Sequence, residues 1–152
     1  MENEEKKVIK ATRYEIESQL NNFVGSIKVN GLDKDCKLAL VKLKIRLGEI
    51  VEEISEFRKK TVDGTIKPEG YDDLKQKVED NKATNEEKTE FNKLENEYNK
   101  ELGDVLLPYL NETIDVEFDG ITEDDFWKIV ENSEVEVIFG YEYLKKKLVK
   151  EC

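Results

Sequence analysis

Histidine is missing from all 152 residues, and with it the side chain that most often serves as a general base near neutral pH and as a metal ligand. Cysteine occurs only as Cys36 and Cys152. Cys–His and Ser–His nucleophilic pairs are therefore excluded, as are zinc sites built from His or clustered Cys. Neither a GxxxxGKS/T nor a GxGxxG phosphate-binding loop occurs. Carboxylates are what remains. Asp115, Glu117, Asp119 and Gly120 imitate the opening of an EF-hand loop, in which alternate oxygen ligands surround a calcium ion. The twelfth position of such a loop should be Glu and is Phe126, while Val116 and Phe118 alternate with the acids as strand residues do. A strand and a turn are expected there. Glu49, Glu52, Glu53 and Glu56 lie at helical spacing and read as a solvated helix face. The expectation is a chain with no catalytic centre, no metal, no cofactor and no small-molecule substrate.

Composition narrows the partners. The net charge of -11 disfavours binding to phosphate backbones, which depends on clustered Lys and Arg displacing counterions. Arg occurs only at positions 13, 46 and 58, although the planar guanidinium is the preferred reader of bases and phosphates. No direct nucleic-acid binding is expected. No apolar run is long enough for a membrane span, and MENEEKK lacks the apolar stretch of a secretory signal, so no membrane association and no signal-directed secretion are expected. Cys36 sits in an apolar stripe, where a free thiol behaves as a small hydrophobe. The apolar residues are clustered in periodic runs, which predicts a folded chain with a thin core.

Those runs define the elements. Thr12-Arg13-Tyr14-Glu15 is a capping box ahead of Ile16, Leu20, Phe23 and Val24, so a short amphipathic helix is expected within an N-terminal helical arm, 1–31. Gly25 interrupts it, Ile27 and Val29 suggest a brief extended piece, and Asn30-Gly31 marks a turn. From Asp33, a plausible N-cap, to Thr61 the residues Cys36, Leu40, Leu43, Leu47, Ile50, Ile54 and Phe57 recur at spacings of four and three. That is the seam of one long helix, and Val41, Ile45 and Val51 are expected to widen its buried face.

A loop at Val62-Asp63-Gly64 and Lys67-Pro68-Glu69-Gly70 leads to a short helical segment through Tyr71, Leu74 and Val78. Thr84-Asn85-Glu86-Glu87 is a second capping box, opening a helix through Phe91, Leu94, Tyr98, Leu102 and Val105 that should end before or near Pro108. The two long helices predict an antiparallel hairpin over 32–111, with Leu40, Leu43, Leu47 and Ile50 packed against Tyr98, Leu102 and Val105. Charge agrees with that fold-back: it would set Glu95, Glu97 and Glu101 near the basic start of the first helix, and Glu86, Glu87 and Glu90 near Arg58, Lys59 and Lys60. At about 42 Å, against about 38 Å for a compact chain of this size, the long helix is expected to protrude.

After the hairpin a small α+β module is predicted over 112–152. Ile114 to Phe118 alternates as one strand, Thr122 caps a short helix carrying Phe126, Ile129 and Val130, and Ser133-Glu134-Val135-Glu136 caps a last helix carrying Val137, Tyr141, Leu144 and Leu148. A strand through Val135, Val137 and Phe139 is the alternative for the start of that last element. The fold class is thus mainly α, a long helical hairpin with one short strand and two helices after it. Phe126 and Trp127 are adjacent and cannot share a helix face, and Tyr141 and Tyr143 likewise point apart. Trp127 and Tyr143 are therefore the candidate protein interface.

The run KLALVKLKIRLGEIVEEISEFRKK through EFNKLENEYNKEL, followed by TIDVEF and ITEDDFWKIV, resembles in layout the small proteins encoded among the structural genes of tailed bacteriophages, over roughly residues 32 to 150. The resemblance implies a non-enzymatic virion component or assembly factor at the head–tail (neck and tail) region. Its partners would be other proteins of the same assembly, as a homo- or hetero-oligomer, in the virion or the cytoplasm of the host bacterium. The acidic charge suggests a different expectation, an inhibitor or adaptor that imitates DNA and regulates a host enzyme.

Overall fold

The computed structural model describes residues 7–132 and 141–150. The chain is mainly helical, and it divides into two compact units, one formed by Met1–Ser55 with Leu110–Cys152 and the other by Glu56–Tyr109.

The first unit is organised by a two-stranded antiparallel sheet, β1 (Lys7–Thr12) and β2 (Thr113–Phe118). β2 is the strand its alternation predicts, with Val116 and Phe118 buried and Asp115 and Glu117 exposed. β1 is a correction, since the pattern had given only a helical arm at the N-terminus. Its inward signal is just Ile9 and Ala11, both buried, too short to stand out until β2 supplies a partner. The register sets Ile9 opposite Val116 and, on the outward face, Lys10 opposite Asp115, a cross-strand pair of opposite charge.

Helix α1 follows in three continuous stretches, Arg13–Glu15, a wider π turn Ile16–Leu20, and Asn21–Gly25. Ile16, Leu20 and Val24, each four residues apart, are its buried edge. Ile27 and Val29 lie in irregular chain and form no strand; Ile27 is nevertheless buried. Helix α2 (Lys34–Gly64) carries the seam as predicted, with Cys36, Leu40, Leu43, Leu47, Ile50 and Ile54 buried. It runs past Thr61 into the expected loop, with the Thr61 and Thr65 hydroxyls donating to the carbonyls of Phe57 (2.8 Å) and Thr61 (2.6 Å). Helices α5 (Glu123–Glu131) and α6 (Tyr141–Leu148) complete this unit, burying Phe126 and Ile129, and Leu144 and Leu148. The backbone closes through Ile121 N–H to the Leu148 carbonyl (3.0 Å) and Lys150 N–H to that of Ile121 (2.9 Å). The strand alternative at Val135, Val137 and Phe139 lies outside the described residues.

The second unit contains the far part of α2, helix α3 (Tyr71–Glu79) and most of α4 (Asn85–Asn111). Tyr71, Phe91 and Tyr98 are its buried core, flanked by half-buried Leu74, Val78, Leu94 and Leu102. Asn81, left-handed at φ 57°, ends α3 by letting Lys82 N–H reach back to the Lys77 carbonyl at 2.8 Å. Two expectations for α4 need correcting. Val105 is 47 % exposed, because the inward row turns to a spacing of four, through Tyr98, Leu102, Leu106 and Leu110, and leaves it outside. The helix also continues past Pro108 to Asn111. So near the end the missing N–H removes a single helical bond, and Leu110 still gains burial from the extra turn.

Of the five N-caps legible in the sequence, Ser133 lies outside the described residues and the other four form. Thr12 accepts from Glu15 N–H (3.0 Å), Asp33 from Cys36 N–H (2.8 Å), and Thr122 from Asp125 N–H (3.2 Å). At Thr84 the box is reciprocal, Glu87 N–H to Thr84 at 3.1 Å and Thr84 N–H to Glu87 at 3.0 Å. Glu87 pairs with Lys77 (2.6 Å), and Arg46 pairs along its own helix with Glu49 (3.5 Å) and Glu53 (3.7 Å). These exposed pairs add little to stability.

Candidate protein interface

Trp127 is held on α5, 38 % exposed, by neighbours of its own chain. Its indole N–H points at Glu123 Oε1 (3.4 Å), its ring meets Phe126 edge-on (5.4 Å, 71°), and Tyr141 leans on it at 5.8 Å. Lys145 Nζ lies 5.4 Å from the ring centroid and 3.0 Å from Glu123, whose carboxyl the Lys145 and Trp127 hydrogen bonds hold below its usual range. The indole is thus a fixed platform with one open side, and its rotamer freedom is already spent within the chain.

Tyr143 is placed quite differently. Its ring packs against Phe23 (5.8 Å), and its hydroxyl donates to the Glu15 carboxylate. Lys147 reaches the same carboxylate (3.1 Å), donates to the Lys10 carbonyl (2.8 Å), and lies over the tyrosine ring (5.7 Å). Burial, reinforced by Glu15, pushes the phenol above its ordinary range. Tyr143 therefore clasps α6 to α1, and Lys147 beside it extends the link to β1. The two residues grouped together by sequence do not form one surface: Tyr141, not Tyr143, shares the side of Trp127.

An open groove of about 500 Å³ runs past Asp33, Asp35, Cys36, Asp119 and Asp125, with Lys150 at its edge. Burial, and then the negative fields of Asp125 and Asp33, push the Cys36 thiol up to about 11. A thiol kept protonated is a poor nucleophile. Among the described residues no three carboxylate or cysteine groups converge as a metal site. Because the folded-state value lies above the unfolded 9.0, the protonated thiol contributes stability that is complete below about pH 9 and lost as the pH rises towards 11. Alkylation at pH 8.5, read by peptide mass spectrometry, should label Cys36 at least about tenfold more slowly in the folded than in the unfolded chain. Equal rates would show that the thiol is accessible and ionised.

The surface that sequence reasoning missed lies on α2. Leu38, Val41 and Ile45 are 50 %, 42 % and 59 % exposed. At 100° per residue they share one face, opposite the buried seam. The pattern assigns Val41 and Ile45 to a widened buried face, and this is corrected: the helix buries its seam side and leaves both of them in solvent. The signal was available, since Leu38, Val41 and Ile45 repeat the seam's spacing on the other side of the helix. Lys34, Lys37 and Lys42 are exposed towards the N-terminal end of this helix, and Glu49, Glu52 and Glu53 towards the C-terminal side. Among the described residues, no helix is long and apolar enough to cross a membrane. No family model, curated protein or solved structure matches this chain.

Proposed function

We propose that this chain is a non-enzymatic structural or assembly subunit of a multi-protein complex, a component of a tailed-bacteriophage virion at the head–tail region. The observation that carries the assembly reading is the α2 face, where a chain that is 40 % charged keeps Leu38, Val41 and Ile45 in register in solvent. Aligned apolar groups of this kind gain free energy when another protein covers them. Trp127, immobilised with one side open, is a second anchor of the same chemical type. The placement in a phage particle rests on the layout of the sequence alone. Acidic and basic groups alternate in pairs such as Arg46 with Glu49 and Lys145 with Glu123, which favours association with protein over imitation of a continuous phosphate face. Native mass measurement of the purified chain, alone and with virion extract, together with mass spectrometry of purified particles, tests the proposal. The expected result is a higher-mass complex and a fixed copy number per particle. A chain that stays monomeric in the extract and is absent from mature particles would remove it.

A further inference from the structure

The charge order along the exposed face of α2 names its occupant. Lys34 and Lys42 stand at or before the apolar centre of Val41 and Ile45, and Glu49 and Glu52 stand after it, all of them exposed. A helix whose face runs from basic through apolar to acidic is complementary to itself when a second copy is laid antiparallel across it. A two-fold axis passing near residue 44 brings Lys34 of one copy to Glu52 of the other and Lys42 to Glu49, each mismatch being no more than about 5 Å along the axis. That is within reach of a flexible lysine. The same axis sets Val41 of each copy against Ile45 of the other, offset by about 3 Å along the axis. Gly48, where an added Cβ would meet nothing within 4 Å, has no side chain to hold the helices apart. A parallel arrangement would instead align like charges. We infer that the Leu38–Val41–Ile45 face of α2 is an isologous interface between two antiparallel copies of this chain. The inference deepens the assembly reading, on which it rests only for taking association as the chain's role.

Net charge of -11 on each copy opposes association in general. The local pairing of opposite charges is therefore what selects this face and this direction over others. The interface is a single helix face, at the small end of the stable size range, so the full-length chain should be examined by sedimentation equilibrium at about 100 μM and near-physiological salt. The expected result is twice the 17.7 kDa chain mass. Ile45→Glu should weaken the dimer at least about 100-fold while leaving thermal unfolding near that of the parent, because the side chain is mostly exposed.

The direction of pairing has its own test. Lys34→Glu/Lys42→Glu creates an acidic face and Glu49→Lys/Glu52→Lys a basic one, so each variant alone should repel itself and weaken at least about tenfold. An equimolar mixture restores every pair and should form a heterodimer. A parent chain that remains monomeric, a dimer indifferent to Ile45→Glu, or a mixture that stays monomeric would each overturn the inference. A dimer absent from virions would leave it standing while removing the virion reading, and a particle-bound chain that is monomeric in solution would do the reverse.

Discussion

Leu47→Ala should lower the stability of the chain by about 2–5 kcal/mol, while Trp127→Ala should lower it by only about 1–2 kcal/mol. Leu47 is fully enclosed at the middle of the α2 seam. Removing its branched end forfeits the transfer free energy of the lost carbons and leaves a cavity, which neighbours held in regular secondary structure can close only in part. Trp127 is larger, but 38 % of it is already in water, so truncation removes less burial and opens no enclosed void. Its loss is not nil, because the indole supports Tyr141 and Lys145. Urea denaturation of both variants separates the two roles: if Trp127→Ala shifts the midpoint as far as Leu47→Ala, the indole is core and cannot serve as a docking anchor. Binding of Trp127→Ala to proteins of the assembly should fall more steeply than its stability, since a partner would cover the open side of the ring.

What the sequence made legible here was local chemistry. Thr12, Asp33, Thr84 and Thr122 each announced a helix start because a cap needs only a side-chain oxygen and an amide two or three residues on. The α2 seam was equally plain, since seven positions alternate spacings of four and three. The features that escaped depend on what lies across space. β1 needed β2 to make sense of Ile9 and Ala11. Val41 and Ile45 have the composition of core residues, and only the packing of the opposite seam decides that they stay outside. Val105 fits a heptad but not the four-residue row that α4 follows near its end. The candidate interface divided for the same reason. Adjacent aromatics had to point apart, but which of Tyr141 and Tyr143 would join Trp127 was set by Glu15 and Phe23, more than a hundred residues away in the chain.

Tyr71→Ala should cost about 3–5 kcal/mol in the Glu56–Tyr109 unit and melt α3 selectively. The core of that unit is small: Tyr71 meets Phe91 at 5.4 Å and Tyr98 at 5.3 Å, and it is the only buried residue that α3 contributes. A nine-residue helix is below the length at which isolated helices persist in water, so α3 depends for its order on packing, of which the Tyr71 ring is the most buried part beside half-buried Leu74 and Val78. The stacked pair Phe57 and Tyr109, 3.7 Å between centroids and 11° apart, joins α2 to α4 within the same unit. Deleting the Tyr71 ring should therefore release 71–79 before it disturbs the two long helices. Hydrogen exchange read by mass spectrometry distinguishes the outcomes. Peptides covering 71–79 should lose protection in the variant, while those covering the seam from Cys36 to Ile50 keep it. Loss of protection in the seam peptides as well would mean that the two units unfold as one cooperative body, and that Tyr71 supports the whole chain and not α3 alone.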